Sequence, residues 1–252
     1  ICVPRAIVHV LGVELMKLLN LGTAASLLAS LTILSASMIA LTRDNLKERL
    51  AYSTISQLSY IILGGALLSP SGMAGGVLHI ANHAFSKITL FFCAGSIYVA
   101  SHKTNISQMN GIGRQMPWTM TAFAIATLSM IGVPPSAGFV SKWYLAIGAI
   151  EADKVVILFV LLTSTLLNAM YFVPIVYRAF FHPPSEAEAG HEVTHQVAYA
   201  VSGDKDGGEA GTHHIQEASY FIVVPLMVTA VISLILGMFP DIFLALVRQV
   251  TG

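Results

Sequence analysis

The chain has 252 residues, 55% of them hydrophobic and only 10% charged, where an average soluble domain carries roughly 25% charged residues. Thirteen basic residues balance thirteen acidic ones, so there is no basic excess of the kind that nucleic-acid binding needs. A mean hydropathy of +0.74 reads as an all-α polytopic membrane protein and leaves no stretch for a soluble enzymatic domain.

Ile1 to Asn20 is apolar but interrupted by Pro4, Arg5, His9, Glu14 and Lys17. It reads as the end of a preceding transmembrane helix at an interface, where Glu14 and Lys17 can pair on one face. The run opens without Met and lacks the basic flank and cleavage site of a signal peptide, so the chain is expected to be the C-terminal part of something longer. Leu21 to Leu41 has no charge; about 31 Å of helix there matches a hydrocarbon core about 30 Å thick.

After RDNLKER, the stretch Leu50 to Ser69 carries Ser53, Ser56, Gln57 and Tyr60 at i, i+3, i+4, i+7, a stripe expected to face other helices, where its hydroxyls and amide find partners. Ser69, Pro70, Ser71 and Gly72 supply a turn. Gly75 to Ser101 is long and apolar enough to cross a bilayer yet holds His79, His83 and Lys87. Four residues advance a helix by about 400°, so the three share one stripe about 12 Å long. A lysine at bilayer depth costs roughly 2.5–3.5 kcal/mol on insertion scales and is by default a functional residue.

A polar connection then leads to an apolar helix from Trp118 to Ile131, broken by GVPPSAGF. Prolines inside such a segment free backbone groups that must line protein or a hydrated cavity. Helix is expected to resume near Gly138 with Lys142 in its first turns, a discontinuous-helix pattern used at ion sites. Val155 to Phe181 reads as a further helix, kinked near Pro174. Pro183 to Gln216 is hydrophilic and holds, with His182, five of the nine histidines: His182, His191, His195, His213 and His214. It is expected to be a solvated loop rather than a metal site. Ala218 to Phe239 is the last span, followed by a short amphipathic end. The division is therefore 1–20, 21–182 with a broken helix near 132–142, 183–216, and 217–252. Cys2 and Cys93 read as small core residues. No metal and no cofactor is expected, since phosphate-binding glycine loops, nucleophile elbows and CxxC pairs are missing.

The segments DNLKERLAYSTISQLSY, HIANHAFSKITLFFCAGSI and MIGVPPSAGFVSKWYL resemble, in order and spacing, the C-terminal half of the antiporter-like subunits shared by Mrp-type multisubunit Na+/H+ antiporters and respiratory complex I. The run from Met109 to Ala149 is most similar to the D-type Mrp subunit. The resemblance implies the C-terminal inverted-repeat half of a helix bundle, crossed by a hydrophilic axis of lysines and histidines. Carried over by position, Lys87 with His79 and His83 matches the connecting stretch of that axis, and Lys142 its broken-helix lysine. Lys47 matches the Lys-Arg position before LAYST, although here Glu48 intervenes.

The implied function is a proton path through a subunit of a Na+/H+ antiporter, working with partner subunits, H+ and Na+ in the lipid bilayer of a bacterial inner membrane. A proton-pumping subunit of complex I or a membrane-bound hydrogenase is the alternative. On either reading protons pass along His79, His83 and Lys87 to Lys142, with Asn82, Ser86 and Ser141 as hydrogen-bond partners.

Overall fold

The structure is a computed structural model that describes residues 16, 18–183, 217–241 and 244–245. The Glu14–Lys17 pair, Cys2, the four loop histidines after His182 and the amphipathic end from Leu246 onward lie outside the described residues. What is described is helical, with one isolated bridge between Asn45 and Asn105, the all-α architecture with a discontinuous helix that the sequence implies.

Helix α1 (Leu21–Thr42) points Leu27, Leu28 and Leu31 outward and buries Ser26, Ala29, Ser30, Ile33, Ala36, Ser37 and Ala40. Those small side chains let α2 (Leu46–Ala66) approach closely, and the Ser37 and Ser56 hydroxyls meet at 2.9 Å. The α2 helix starts four residues before the expected Leu50 because the Asn45 side chain accepts from the Lys47 and Glu48 N–H groups, satisfying donors that a helix start leaves open. Arg49 then locks the junction, donating to the carbonyls of Leu41, Arg43 and Tyr171.

Helix α3 (Pro70–Ser101) is longer than the stretch expected from Gly75. Pro70, Ser71 and Gly72 form its first turn instead of a turn before it, since proline is preorganised for that position and the Ser69 hydroxyl accepts from Gly72 N–H. Thirty-two residues make about 48 Å of helix, more than a bilayer core requires. A turn at Ile106–Gln108 and the short α4 (Ile112–Gln115) follow, tied to the α1–α2 junction through Ser107, which donates to Asp44.

The broken helix consists of α5 (Pro117–Ile131) and α6 (Ala137–Glu151). Gly132 at φ +88° ends α5, and the residues up to Ser136, including both prolines, separate the halves. Helix α7 (Val155–Phe181) and α8 (Tyr220–Met238) complete the described bundle. The helices α1, α3, α7 and α8 are each long and apolar enough to cross a membrane. One hydrophobic core gathers Leu50, Leu90, Cys93, Phe123, Phe172 and Ile175; a second gathers Ile33, Tyr60, Leu63, Leu145 and Leu161. Cys93 is a buried free thiol that donates to the Thr119 carbonyl at 3.3 Å.

Glycines bring the site-bearing helices into contact. A Cβ on Gly75 would lie 2.7 Å from the Leu145 backbone nitrogen, and one on Gly64 would lie 2.6 Å from the Gly72 carbonyl oxygen. Two carboxylates cap helix starts from a distance. Glu151 accepts from Ser71 N–H and its hydroxyl, and Glu217 from the Trp118 and Thr119 N–H groups and the Thr119 hydroxyl. Negative charge there also complements the helix dipole. Glu217→Ala is expected to cost the bundle about 1–2 kcal/mol, read as a lowered thermal unfolding midpoint of the purified assembly in detergent.

Candidate functional site

On α3 the four-residue spacing puts His79, His83 and Lys87 in one stripe, and they are 3%, 8% and 5% exposed; Lys142 on α6 is 9% exposed. Among the described residues no carboxylate is buried, and no group of His, Cys, Asp and Glu is placed to hold a metal. The two buried lysines are instead held by neutral oxygens.

Lys87 Nζ donates to the Leu50 carbonyl and to Ser53 Oγ, both at 2.8 Å, and it lies 5.9 Å and 5.8 Å from the Phe91 and Phe172 ring centroids. Carbonyl, hydroxyl and ring faces all attract an ammonium without the fixed counter-charge that would hold it permanently protonated.

Lys142 Nζ donates to the Met130 and Ile131 carbonyls at 3.0 and 2.8 Å. Those carbonyls are available because α5 stops at Gly132, and a helix C-terminus carries partial negative charge. The break thus builds its own cation seat. The ammonium also lies 5.5 Å from the Tyr60 ring centroid.

His79 stands between the lysines. Its Nε2 is 3.0 Å from Gln57 Oε1 and its Nδ1 is 3.0 Å from Ser141 Oγ; its ring stacks with both Tyr60 and His83. Ser141 Oγ also lies 3.1 Å from the Gly138 carbonyl. When the hydroxyl donates to Gly138 its oxygen accepts from an Nδ1–H, and when it rotates it donates to a bare Nδ1. With Nε2–H on Gln57, both protonation states of the ring keep all their hydrogen bonds.

Asn82 and Ser86 are a different matter. Asn82 Nδ2 donates to the Ala137 carbonyl at 2.6 Å, and Ser86 Oγ donates to Ser129 at 2.8 Å and lies 3.2 Å from Ser233. Each precedes a stripe residue by one, a rotation of about 100° around the helix, so they face the broken helix and α8 and hold those on α3. Neither makes a direct hydrogen bond to His79, His83, Lys87 or Lys142 among the described residues. Lys47, exposed on the first turn of α2 with Nζ 4.6 Å from the Tyr98 ring centroid, is not brought to the buried groups.

Sequence reasoning missed the contribution of α7. Ser164, Asn168 and Tyr171 are fully buried, and they recur at i, i+4, i+7 in an otherwise apolar helix, a signal masked by its high hydropathy. Tyr171 donates to Asn168 Oδ1 and sits beside Ser53 and Gln57, while Tyr60 faces Ser164 and Thr165. Gln57 Nε2, Tyr60 OH, His83 Nδ1, Ser164 Oγ and Asn168 Nδ2 are buried and make no hydrogen bond to the described residues; each costs about 1–3 kcal/mol if left dry.

The family model described as NADH:quinone oxidoreductase/Mrp antiporter, TM, matches residues 7–168. NADH-quinone oxidoreductase subunit N of Desulforudis audaxviator (strain MP104C) is 42% identical over 153 residues, 61% of this chain and 30% of that protein. Among solved structures, a chain of the Mrp complex from Dietzia sp. DQ12-45-1b superposes with TM-score 0.77 at 23% identity, over 98% of this chain and 50% of that one. A chain of respiratory complex I from Thermus thermophilus with bound NADH gives 0.74 at 20% identity, over 99% and 48%. The match to subunit N spans less than a third of that protein, and the matches to the solved chains span about half of each.

Proposed function

We propose, for a chain that belongs to the NADH:quinone oxidoreductase/Mrp antiporter transmembrane family, that this multi-pass membrane protein carries protons as one subunit of a larger assembly in a bacterial inner membrane. The observation that supports this most is the line Lys87, His79, Lys142. Two lysines are buried at bilayer depth against neutral acceptors, and an imidazole between them keeps its hydrogen bonds in either protonation state. His83 lies between His79 and Lys87, one turn from each on the same face of α3, and stacks on His79 at 6.0 Å between centroids.

Two driving reactions fit such a path. In the first, electron transfer in partner subunits drives the protons, which the 42% identity to a quinone oxidoreductase subunit favours. In the second the chain serves a Na+/H+ antiporter, which the residues from Met109 to Ala149 favour by their resemblance to the D-type subunit. Everted vesicles carrying the whole assembly separate the two. Proton uptake that begins with an electron donor and ignores Na+ supports the first, and a preformed pH gradient that Na+ collapses supports the second. Neither response in vesicles with intact assembly overturns the proton-transport reading.

A further inference from the structure

Lys47, on the first turn of α2, stands apart from the buried groups, and among the described residues its ammonium has neither a carboxylate nor a hydrogen-bond partner. Glu48 turns to Arg43 at 3.9 Å, and Asp44 accepts from Ser107. Lys47 Nζ lies instead 4.6 Å from the centroid of the Tyr98 ring near the end of α3, a contact that leaves its N–H donors open. The His102 ring, exposed where α3 ends, packs edge-on with Tyr98 at 5.6 Å. Two groups able to hold an anion thus share one exposed aromatic ring.

From there the two helices present one apolar face. Ile55 and Leu58 follow Lys47 at i+8 and i+11 on α2, and Ile88, Phe91 and Tyr98 recur at i, i+3, i+10 on α3, spacings that return to one side of a helix. All five are 41–47% exposed. The contact of Lys47 with Tyr98 joins the two stripes. Gly95 sits in the α3 stripe between Phe91 and Tyr98. Gly64, Gly75 and Gly138 serve close helix contacts, but a Cβ on Gly95 would meet nothing within 4 Å, so the stripe has a gap between two exposed rings. Lys47 to Leu58 is about 16 Å of helix and Tyr98 to Ile88 about 15 Å, each close to half of a hydrocarbon core about 30 Å thick. The face has the depth of one leaflet.

We propose that the α2–α3 face is a binding site for an anionic phospholipid, with the headgroup phosphate held by Lys47 and His102 and one acyl chain laid along the face across Gly95. Charge and length together select this occupant. The ammonium of Lys47 lacks a counter-charge, and basic side chains at the membrane surface attract anionic headgroups. Lysine and tyrosine at a helix end sit at headgroup level with their apolar parts turned to the chains. A flexible acyl chain of one leaflet's length matches the stripe below them and fills the gap at Gly95. A zwitterionic lipid carries its own cation beside the phosphate and gains less from Lys47. The site stands on the membrane-spanning fold alone and does not depend on the proton-transport reading.

The test uses the complete assembly in lipid nanodiscs, probed with phosphatidylglycerol that carries a photoactivatable diazirine in one acyl chain. Labelled peptides are mapped by mass spectrometry in the native protein, in Lys47→Gln, in Gly95→Leu, and in Arg114→Gln, which removes an exposed charge on α4. Expected is labelling of both stripes that unlabelled phosphatidylglycerol displaces and phosphatidylcholine or inorganic phosphate does not. Lys47→Gln is expected to lower the apparent affinity about five-fold, the weight of one basic residue beside anionic lipid. Gly95→Leu, which fills the gap, lowers the labelling of the α3 stripe, and Arg114→Gln behaves as native. Equal displacement by phosphatidylcholine, or native labelling in both Lys47→Gln and Gly95→Leu, reduces the face to bulk lipid contact and overturns the proposal. Displacement by inorganic phosphate makes it a free-anion site and overturns it too. So does the absence of label from both stripes, the result if another segment or subunit covers the face. The competition in the native protein decides even where a variant fails to assemble.

Discussion

Lys87→Ala is expected to stop proton transport while the assembly still forms. The side chain spans from α3 to the Leu50 carbonyl and Ser53 hydroxyl of α2, so its removal takes the ammonium out of that point of the interior. Positioned proton donors and acceptors contribute about 10²–10⁴-fold to the steps they serve, and a loss in that range is the expected reading. Folding has less at stake. The Leu50 carbonyl keeps a partner in the Thr54 hydroxyl, and deleting a lysine from an apolar environment also deletes its desolvation cost. Co-purification of partner subunits at native yield, together with dye-monitored flux, distinguishes a dead relay from a lost complex.

Gly138→Ala is expected to fail in the opposite way, by destroying the fold around the break. A Cβ at position 138 would collide with the carbonyl oxygen of Ser129, and that obstacle is backbone, which cannot rotate aside. Ser129 is itself tied to Ser86 and Ser233, so the two halves of the broken helix cannot separate without pulling α3 and α8. Overpacking of a close contact costs about 1–3 kcal/mol, and a fixed backbone puts this site at the upper end. Loss of the subunit from the purified assembly, or a lowered unfolding midpoint, is the measurement. The contrast matters because Gly138 also accepts from Ser141: a variant that assembles normally but conducts poorly would place Gly138 in the relay instead of the packing.

Much of this was legible because it is periodic. The stripe of His79, His83 and Lys87 follows from a spacing of four, and α7 runs from Val155 to Phe181 as the apolar run does, bounded by a charged loop and a proline pair. The broken helix was readable from Gly132, Pro134 and Pro135, and the burial of Ser53, Ser56, Gln57 and Tyr60 from their common face. What a single sequence does not carry is which faces meet. Gln57 pairs with His79 and Ser141 with the same ring because three helices converge at glycine contacts, and no local pattern encodes that convergence. The remote caps Glu151 and Glu217 escaped for the same reason: each serves a helix far along the chain. Asn82 and Ser86 adjoin the stripe in sequence but bond to the broken helix and α8, because rotation about the helix axis decides the direct neighbour.

A single route joining both lysines is tested most directly by proton flux through the assembled complex carrying Lys142→Met. Lys142 touches the carbonyls of Met130 and Ile131 and the face of Tyr60, and Tyr60 stacks on His79 of the stripe that carries Lys87. Flux that falls by about 100-fold or more, with subunit composition unchanged, is the result that follows if protons pass from one lysine to the other. Native flux in Lys142→Met, in vesicles where Lys87→Ala is inactive, would contradict it.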